Sequence, residues 1–104
     1  MADIKTKTDI KPRIAPKVDF KEPPNFNVIY INDEVTTQEF VIETLTAVFN
    51  YARESAEALT FRVHEEGSAV VATLPYEMAE QKGIEVTLLA RSNGFPLAVK
   101  IESE

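Results

Sequence analysis

The sequence predicts an α+β fold, an open sandwich in which a three-stranded antiparallel sheet packs on three helices in the order βααβαβ. Short β-branched and aromatic runs indicate the strands, and apolar residues at helical spacing indicate the helices. Polar, glycine and proline breaks separate them. With 104 residues, of which 44% are hydrophobic, the chain is long enough for one modest core. We therefore expect one folded domain over residues 25–104.

The first half of this domain is predicted to hold one strand and two helices. Residues 28–31 are β-branched and aromatic, which favours a strand. Thr36 stands three residues before Glu39, a capping-box spacing that predicts a helix start. Asn50 begins a break, and Gly67 suits the end of the second helix. The inward residues are predicted to be Phe40, Val41, Leu45, Val48 and Phe49, then Ala52, Ala56, Leu59 and Val63.

The second half is predicted to add a strand, a helix and a strand. Residues 69–74 form the strand, and Pro75 suits the first turn of a helix over residues 76–92. Gly94 ends that helix, and residues 97–101 form the last strand. The inward residues of the helix are predicted to be Ala79, Val86, Leu89 and Ala90.

Residues 1–24 are predicted to be a flexible N-terminal extension. Their apolar residues are isolated among Lys, Asp, Thr and Pro, so they cannot bury enough surface to offset the entropy of ordering. They contain no apolar run of the secretory kind, and the chain has no stretch near the roughly 20 apolar residues of a membrane span. We expect a cytoplasmic protein with no membrane partner.

Composition and charge exclude several classes of function. The chain has no Cys, which excludes disulfides, thiolate metal sites and cysteine nucleophiles. Residues 25–104 hold five basic and thirteen acidic side chains, a net charge of −8, so we expect no nucleic-acid partner. A positively charged partner fits better, either an α-ammonium group or a basic protein surface. Because no nucleotide- or metal-binding motif is present, no cofactor and no metal are expected.

Two polar features can carry chemistry, and each has a plainer alternative. Asn32, Asp33 and Glu34 either end a strand and cap a helix or capture an ammonium group with carboxylate and amide oxygens. His64, the one histidine, either interacts with a helix C-terminus or takes part in a site.

No serine lies in a GxSxG pattern, which leaves a small hydrolase as a distant alternative. The pattern leaves open whether some apolar side chains are core or pocket, namely Val41, Val63 and Leu97.

Several spaced segments of the chain resemble the signatures of the ClpS family of Clp protease adaptors. They are NVIYINDEVTTQEFVIETL, VHEEGSAVVA, YEMAEQKGIEV and ARSNGFPLAVKIE, in the same order as in the family. The resemblance implies the sandwich fold above, which is similar to the C-terminal domain of the bacterial ribosomal stalk protein. It also implies a non-enzymatic adaptor that recognises N-degrons, substrates whose first residue is Leu, Phe, Tyr or Trp. Such adaptors pass substrates to a Clp AAA+ unfoldase, ClpA or ClpC.

Carried over by position, the resemblance assigns roles to three sets of residues. Asn32, Asp33 and His64 would hold the substrate's α-amino group, three acceptors for three ammonium donors. His64 must be neutral where it accepts, which couples binding to pH. The side-chain pocket would be lined by Thr36, Gln38, Val41, Thr60, Val63 and Leu97. The unfoldase would contact Glu77 and Lys82, with Glu80 nearby.

The chain departs from the family pattern inside this pocket. Gln38 and Thr60 stand where relatives often carry methionine, so we expect a less apolar pocket with an altered side-chain preference. These two residues keep an alternative open. The chain would then be a divergent module of the same fold, an anti-adaptor or modulator, that binds the unfoldase without reading N-degrons.

The extension gives a first testable prediction. Deleting residues 1–20 should leave peptide affinity and thermal stability nearly unchanged, because this segment has no core-forming pattern. The resemblance implies that the same deletion abolishes substrate delivery in a reconstituted unfoldase–protease assay. A truncated protein that unfolds, or that delivers normally, would contradict this interpretation.

Overall fold

The computed structural model describes residues 24–104, and the predicted α+β sandwich is confirmed there. The extension expected at residues 1–24 lies, apart from Pro24, outside the described residues. The elements follow the predicted order: β1 (Asn25–Ile31), α1 (Gln38–Phe49), α2 (Arg53–Glu66), β2 (Ser68–Pro75), α3 (Tyr76–Ser92) and β3 (Ala98–Ser103).

β1 is the central strand of the described sheet and pairs antiparallel with β2 on one side and β3 on the other. At its C-terminal end Ile31 pairs with Ser68 and with Ala98, the first residues of the two outer strands. The turn at Gly67 and the segment before β3 therefore lie beside the loop that leaves β1. This arrangement brings three chain segments, distant in sequence, to one end of the sheet.

The core lies between one face of the sheet and the helices. Val28 and Tyr30 alternate inward from β1, and the hydroxyl of Tyr30 is satisfied at 2.8 Å by the buried hydroxyl of Thr44. A register shift after Val28 leaves Val71 as the extra residue of β2, and the hydroxyl of Tyr51 donates to its carbonyl. Most predicted inward residues are buried: Phe40, Val41, Leu45, Val48, Ala56, Val63, Ala79, Val86 and Ala90.

Four of the predicted inward residues are placed differently, and one of them, Leu59, is only partly buried. Leu89 is 37% exposed, because the buried positions of α3 form a narrower stripe that leaves it on the flank. Ala52 is exposed, because it is the N-cap of α2 rather than a residue of its packed face. Phe49 is only partly buried, as the last residue of α1. The prediction also left out Ile42 and Thr44, which are buried.

Element boundaries differ by a few residues from the sequence prediction. β1 begins at Asn25, three residues early, and β3 runs over Ala98–Ser103 instead of residues 97–101. Pro75 ends β2 and occupies the N-cap position of α3, without a capping hydrogen bond, instead of lying in its first turn. Leu97 therefore precedes β3, where its side chain is 1% exposed.

Gly83 has a packing role that its helix propensity does not reveal. A Cβ atom built there would lie 3.3 Å from Cδ1 of Ile101 and 3.6 Å from Cγ1 of Val99. A glycine inside a helix costs about 1 kcal/mol relative to alanine. Here it lets the side chains of β3 pack closely against α3.

Candidate functional site

The loop between β1 and α1 is held in place by its own polar groups. The backbone N–H of Asn32 donates to the carbonyl of Gly67 at 2.9 Å, which ties the loop to the end of α2. Oδ1 of Asp33 accepts from the backbone N–H groups of Val35 at 2.8 Å and Thr36 at 2.7 Å. Oδ2 accepts from the hydroxyl of Thr36 at 2.8 Å. The carboxylate is therefore fixed at the end of the central strand.

The surroundings of Asp33 favour its ionised form. Partial burial alone pushes the pKa of this carboxyl upward, but hydrogen bonds from Thr36 and Val35 and the positive charge of Arg91 outweigh that effect. The net result is a pKa below the ordinary value for aspartate. The loop thus presents a negative charge at neutral pH.

The cap of α1 corrects a sequence prediction. Thr37, and not Thr36, is the N-cap, and its hydroxyl accepts from the backbone N–H of Phe40 at 3.1 Å. Thr36 instead donates both its N–H and its hydroxyl to Asp33. The helix consequently begins at Gln38, one residue after the cap.

α2 supplies the opposite wall. Thr60, Val63 and His64 follow the three- and four-residue spacing that places side chains on one face of a helix. Gly67 ends α2 as predicted, with φ of 87° and its N–H donated to the carbonyl of Val63 at 3.0 Å. The left-handed turn at Gly67 sends the chain back into β2, beside β1.

All nine residues predicted to bind a substrate's amino group and first side chain line one pocket between this loop, α1 and α2. Their roles in binding stay predictions. The polar members, named here the rim, are exposed or half-buried: Asn32, Asp33, Thr36, Gln38 and His64. The buried members form what we call the floor: Val41, Thr60, Val63 and Leu97.

Sequence reasoning missed one lining residue, Ile31. Ile31 is the last residue of β1 and is half-buried. Because successive side chains of a strand point to opposite faces of the sheet, Ile31 points to the face opposite the buried Tyr30. Its position directly before Asn32 was the available signal, since the strand end and the loop border the same pocket.

The pocket is narrow as it stands. Its free volume is about 10 Å³, which is room for about one water molecule. A large side chain therefore enters only if rim side chains move aside. Gln38 and His64 are exposed, and exposed side chains change rotamer within nanoseconds.

The three residues predicted to face an unfoldase lie on α3 but do not share one surface. Glu77 and Glu80 are exposed and three residues apart, so they are neighbours on the helix. Lys82 is half-buried and turns toward α1, where its Nζ donates to the carbonyl of Val48 at 2.9 Å and lies 5.9 Å from the ring centroid of Phe49. Their role as an interface stays a prediction.

Residues 24–104 contain neither a cluster of metal-binding side chains nor a membrane-spanning helix. No group of three or more His, Asp or Glu side chains there could hold a metal ion. No helix in that range is both long enough and apolar enough to cross a membrane.

Comparison with known proteins gives consistent matches. Residues 21–100 match the family model described as ATP-dependent Clp protease adaptor protein ClpS. The ATP-dependent Clp protease adapter protein ClpS of Treponema denticola is 42% identical over 83 residues, covering 80% of this chain and 82% of that protein. The ClpS of Oleidesulfovibrio alaskensis is 35% identical over 102 residues, covering 98% of each.

A solved structure shares the fold. It is Agrobacterium tumefaciens ClpS2 bound to L-phenylalaninamide, with a TM-score of 0.77 and 36% sequence identity. The match covers 80% of this chain and 100% of the other.

Proposed function

The chain belongs to the ClpS family of ATP-dependent Clp protease adaptor proteins, and we propose that it binds the free N-terminal residue of N-degron substrates and delivers them to a Clp AAA+ unfoldase, ClpA or ClpC. The observation that carries this proposal is the pocket. Nine residues assigned by position to amino-group and side-chain recognition converge on it. The same site gives no reason to expect bond-making or bond-breaking chemistry.

The rim suits an α-ammonium group. A carboxylate offers about four acceptor positions, and the loop uses three of those on Asp33, which leaves about one for a donor of the substrate. The side-chain oxygen of Asn32 and a ring nitrogen of His64 supply further acceptors. Because Asp33 is ionised, its hydrogen bond to an ammonium group is charge-assisted and strong.

The floor suits the side chain of the same residue. Val41, Val63 and Leu97 are buried and apolar, so a bulky hydrophobic side chain that reaches them leaves water. L-phenylalaninamide, the ligand of the Agrobacterium neighbour, carries a free α-amino group and an apolar ring, the two features that rim and floor match. A chain-internal residue has no ammonium group, so the combination selects an N-terminus.

Delivery requires a second surface, and α3 is the candidate. Glu77 and Glu80 present carboxylates to solvent, whereas the contact of Lys82 with Val48 keeps that side chain close to α1. We assign the unfoldase contact to Glu77 and Glu80, with Lys82 at its border. The N-terminal extension would act in transfer of the substrate.

The test is a set of peptides that differ only at the first residue. We expect binding of peptides that begin with Leu, Phe, Tyr or Trp and at least tenfold weaker binding of those that begin with Ser or Glu, since these cannot fill an apolar floor. Fluorescence anisotropy measures both. The same peptides fused to a folded reporter should be degraded by unfoldase and peptidase only in the presence of this protein.

The alternative function gives a different result in this assay. A modulator that occupies the unfoldase without reading N-degrons would bind the unfoldase but show no dependence on the first residue. That outcome would reject the proposal.

A further inference from the structure

One polar atom on the floor of the pocket has no partner. Oγ1 of Thr60 is buried, on a residue only 3% exposed, and no donor or acceptor within residues 24–104 pairs with it. Helical threonines elsewhere behave differently. Thr44, Thr46 and Thr87 each donate to a carbonyl three or four residues earlier, at 2.8 to 3.0 Å. The hydroxyl of Thr60 is therefore not satisfied by its own helix.

The neighbours of Thr60 explain why this matters. Val41, Val63 and Leu97 complete the floor and offer only aliphatic side chains to the pocket. A buried hydroxyl without a hydrogen bond is unfavourable, and no other side chain of the floor can supply one, so the partner of Thr60 has to be water or a ligand group that enters the pocket. Gln38, the other polar departure, is exposed on the rim, so water satisfies its amide. Thr60 thus lacks a protein partner inside the pocket, whereas Gln38 faces solvent.

Thr60 is placed where the far end of the side chain of a substrate's N-terminal residue would lie. It lies four residues before His64 on α2, about 6 Å along the helix axis, and it is buried whereas His64 is exposed. With the ammonium group at the rim, an aromatic ring spans this distance and carries its para substituent toward the floor.

We propose that Thr60 is a specificity-determining residue that selects a hydroxyl-bearing aromatic first residue, tyrosine, over phenylalanine and leucine. The phenol hydroxyl can donate to or accept from Oγ1 of Thr60, and phenylalanine and leucine leave Thr60 unpaired. A site built to hydrogen-bond a hydroxyl disfavours the analogue that lacks it. This inference rests on the proposed function of the pocket.

The experiment compares peptides that begin with Tyr, Phe and 4-methylphenylalanine. The last has nearly the size of tyrosine but no hydrogen-bonding group. One net hydrogen bond corresponds to roughly a 2- to 12-fold difference in affinity. We expect Tyr to bind more tightly than both analogues by that factor in the wild-type protein. Equal affinities for Tyr and 4-methylphenylalanine would overturn the proposal without any mutation.

Matched variants assign the effect to Thr60. Thr60→Val keeps the shape and removes the hydroxyl, so it should bring the Tyr:Phe affinity ratio to one or below and raise the melting temperature. Thr60→Ser keeps the hydroxyl and should keep a ratio above one. Thr46→Val makes the same change at a helical threonine outside the pocket and should leave the ratio as in the wild type. An unchanged ratio in Thr60→Val would assign the preference elsewhere.

Binding of the Tyr and Phe peptides distinguishes this inference from the proposed function on which it rests. Tight binding of a free Phe peptide together with a Tyr:Phe ratio of one would reject the role of Thr60 and leave N-terminal recognition standing. Failure of both peptides to bind would reject the proposed function itself.

Discussion

Replacing Asp33 by alanine is expected to remove most of the peptide affinity and to lower the stability of the fold. The carboxylate accepts three hydrogen bonds from Val35 and Thr36 and would contribute one acceptor to the ammonium group. A hydrogen bond to a charged group is worth about 1.5–3 kcal/mol, which corresponds to roughly a 10- to 150-fold loss of affinity. Because the loop is partly exposed, we expect a loss of about 2 kcal/mol in the free energy of unfolding.

Two companion variants distinguish the role of Asp33 in stabilising the loop from the role of its charge in binding the peptide. Asp33→Asn retains a side-chain oxygen that can accept from the backbone N–H groups, so it should unfold near the wild-type temperature and still bind weakly. Glu34→Ala removes the adjacent, exposed carboxylate and should affect neither property strongly. Urea unfolding and peptide anisotropy measure the two effects. Wild-type affinity in Asp33→Asn would show that the charge is not used.

The lowered pKa of Asp33 adds a dependence on pH. A carboxyl whose pKa is lower in the folded than in the unfolded protein contributes stability above its unfolded pKa, about 3.9. That contribution is lost as the pH falls through the folded pKa. The stability difference between the wild-type protein and Asp33→Ala should therefore be constant near neutral pH and shrink below about pH 4.

The order of the elements was predictable because the hydrophobic periodicity of this chain is strong. Residues of α1 such as Leu45 and Val48 repeat at helical spacing and are buried. Leu89 has the same spacing but is 37% exposed, since periodicity does not say how wide the packed stripe of a helix is. Thr36 and Thr37 are equally good caps by residue type, and only the structure shows that Thr37 caps the helix while Thr36 donates to Asp33.

The site could be predicted only as a set of residues. Resemblance to the ClpS family named nine positions, and the structure brings them together, but their division into rim and floor required burial. The unpaired hydroxyl of Thr60 had no signal in the sequence, since helical threonines commonly bond to a preceding carbonyl, as Thr44 does. The contact of Lys82 with Val48 was likewise hidden, because it joins residues 34 apart in the chain.

Recognition of a free α-ammonium group is the central claim, and one comparison tests it most directly. Two peptides of identical sequence, beginning with Tyr, are titrated against the wild-type protein, one with a free N-terminus and one acetylated. Acetylation removes the positive charge and two of the three donors but keeps the side chain, so rim and floor are tested separately. The account predicts at least tenfold weaker binding of the acetylated peptide, corresponding to the loss of one or more charge-assisted hydrogen bonds. Equal affinity for the two peptides would contradict it.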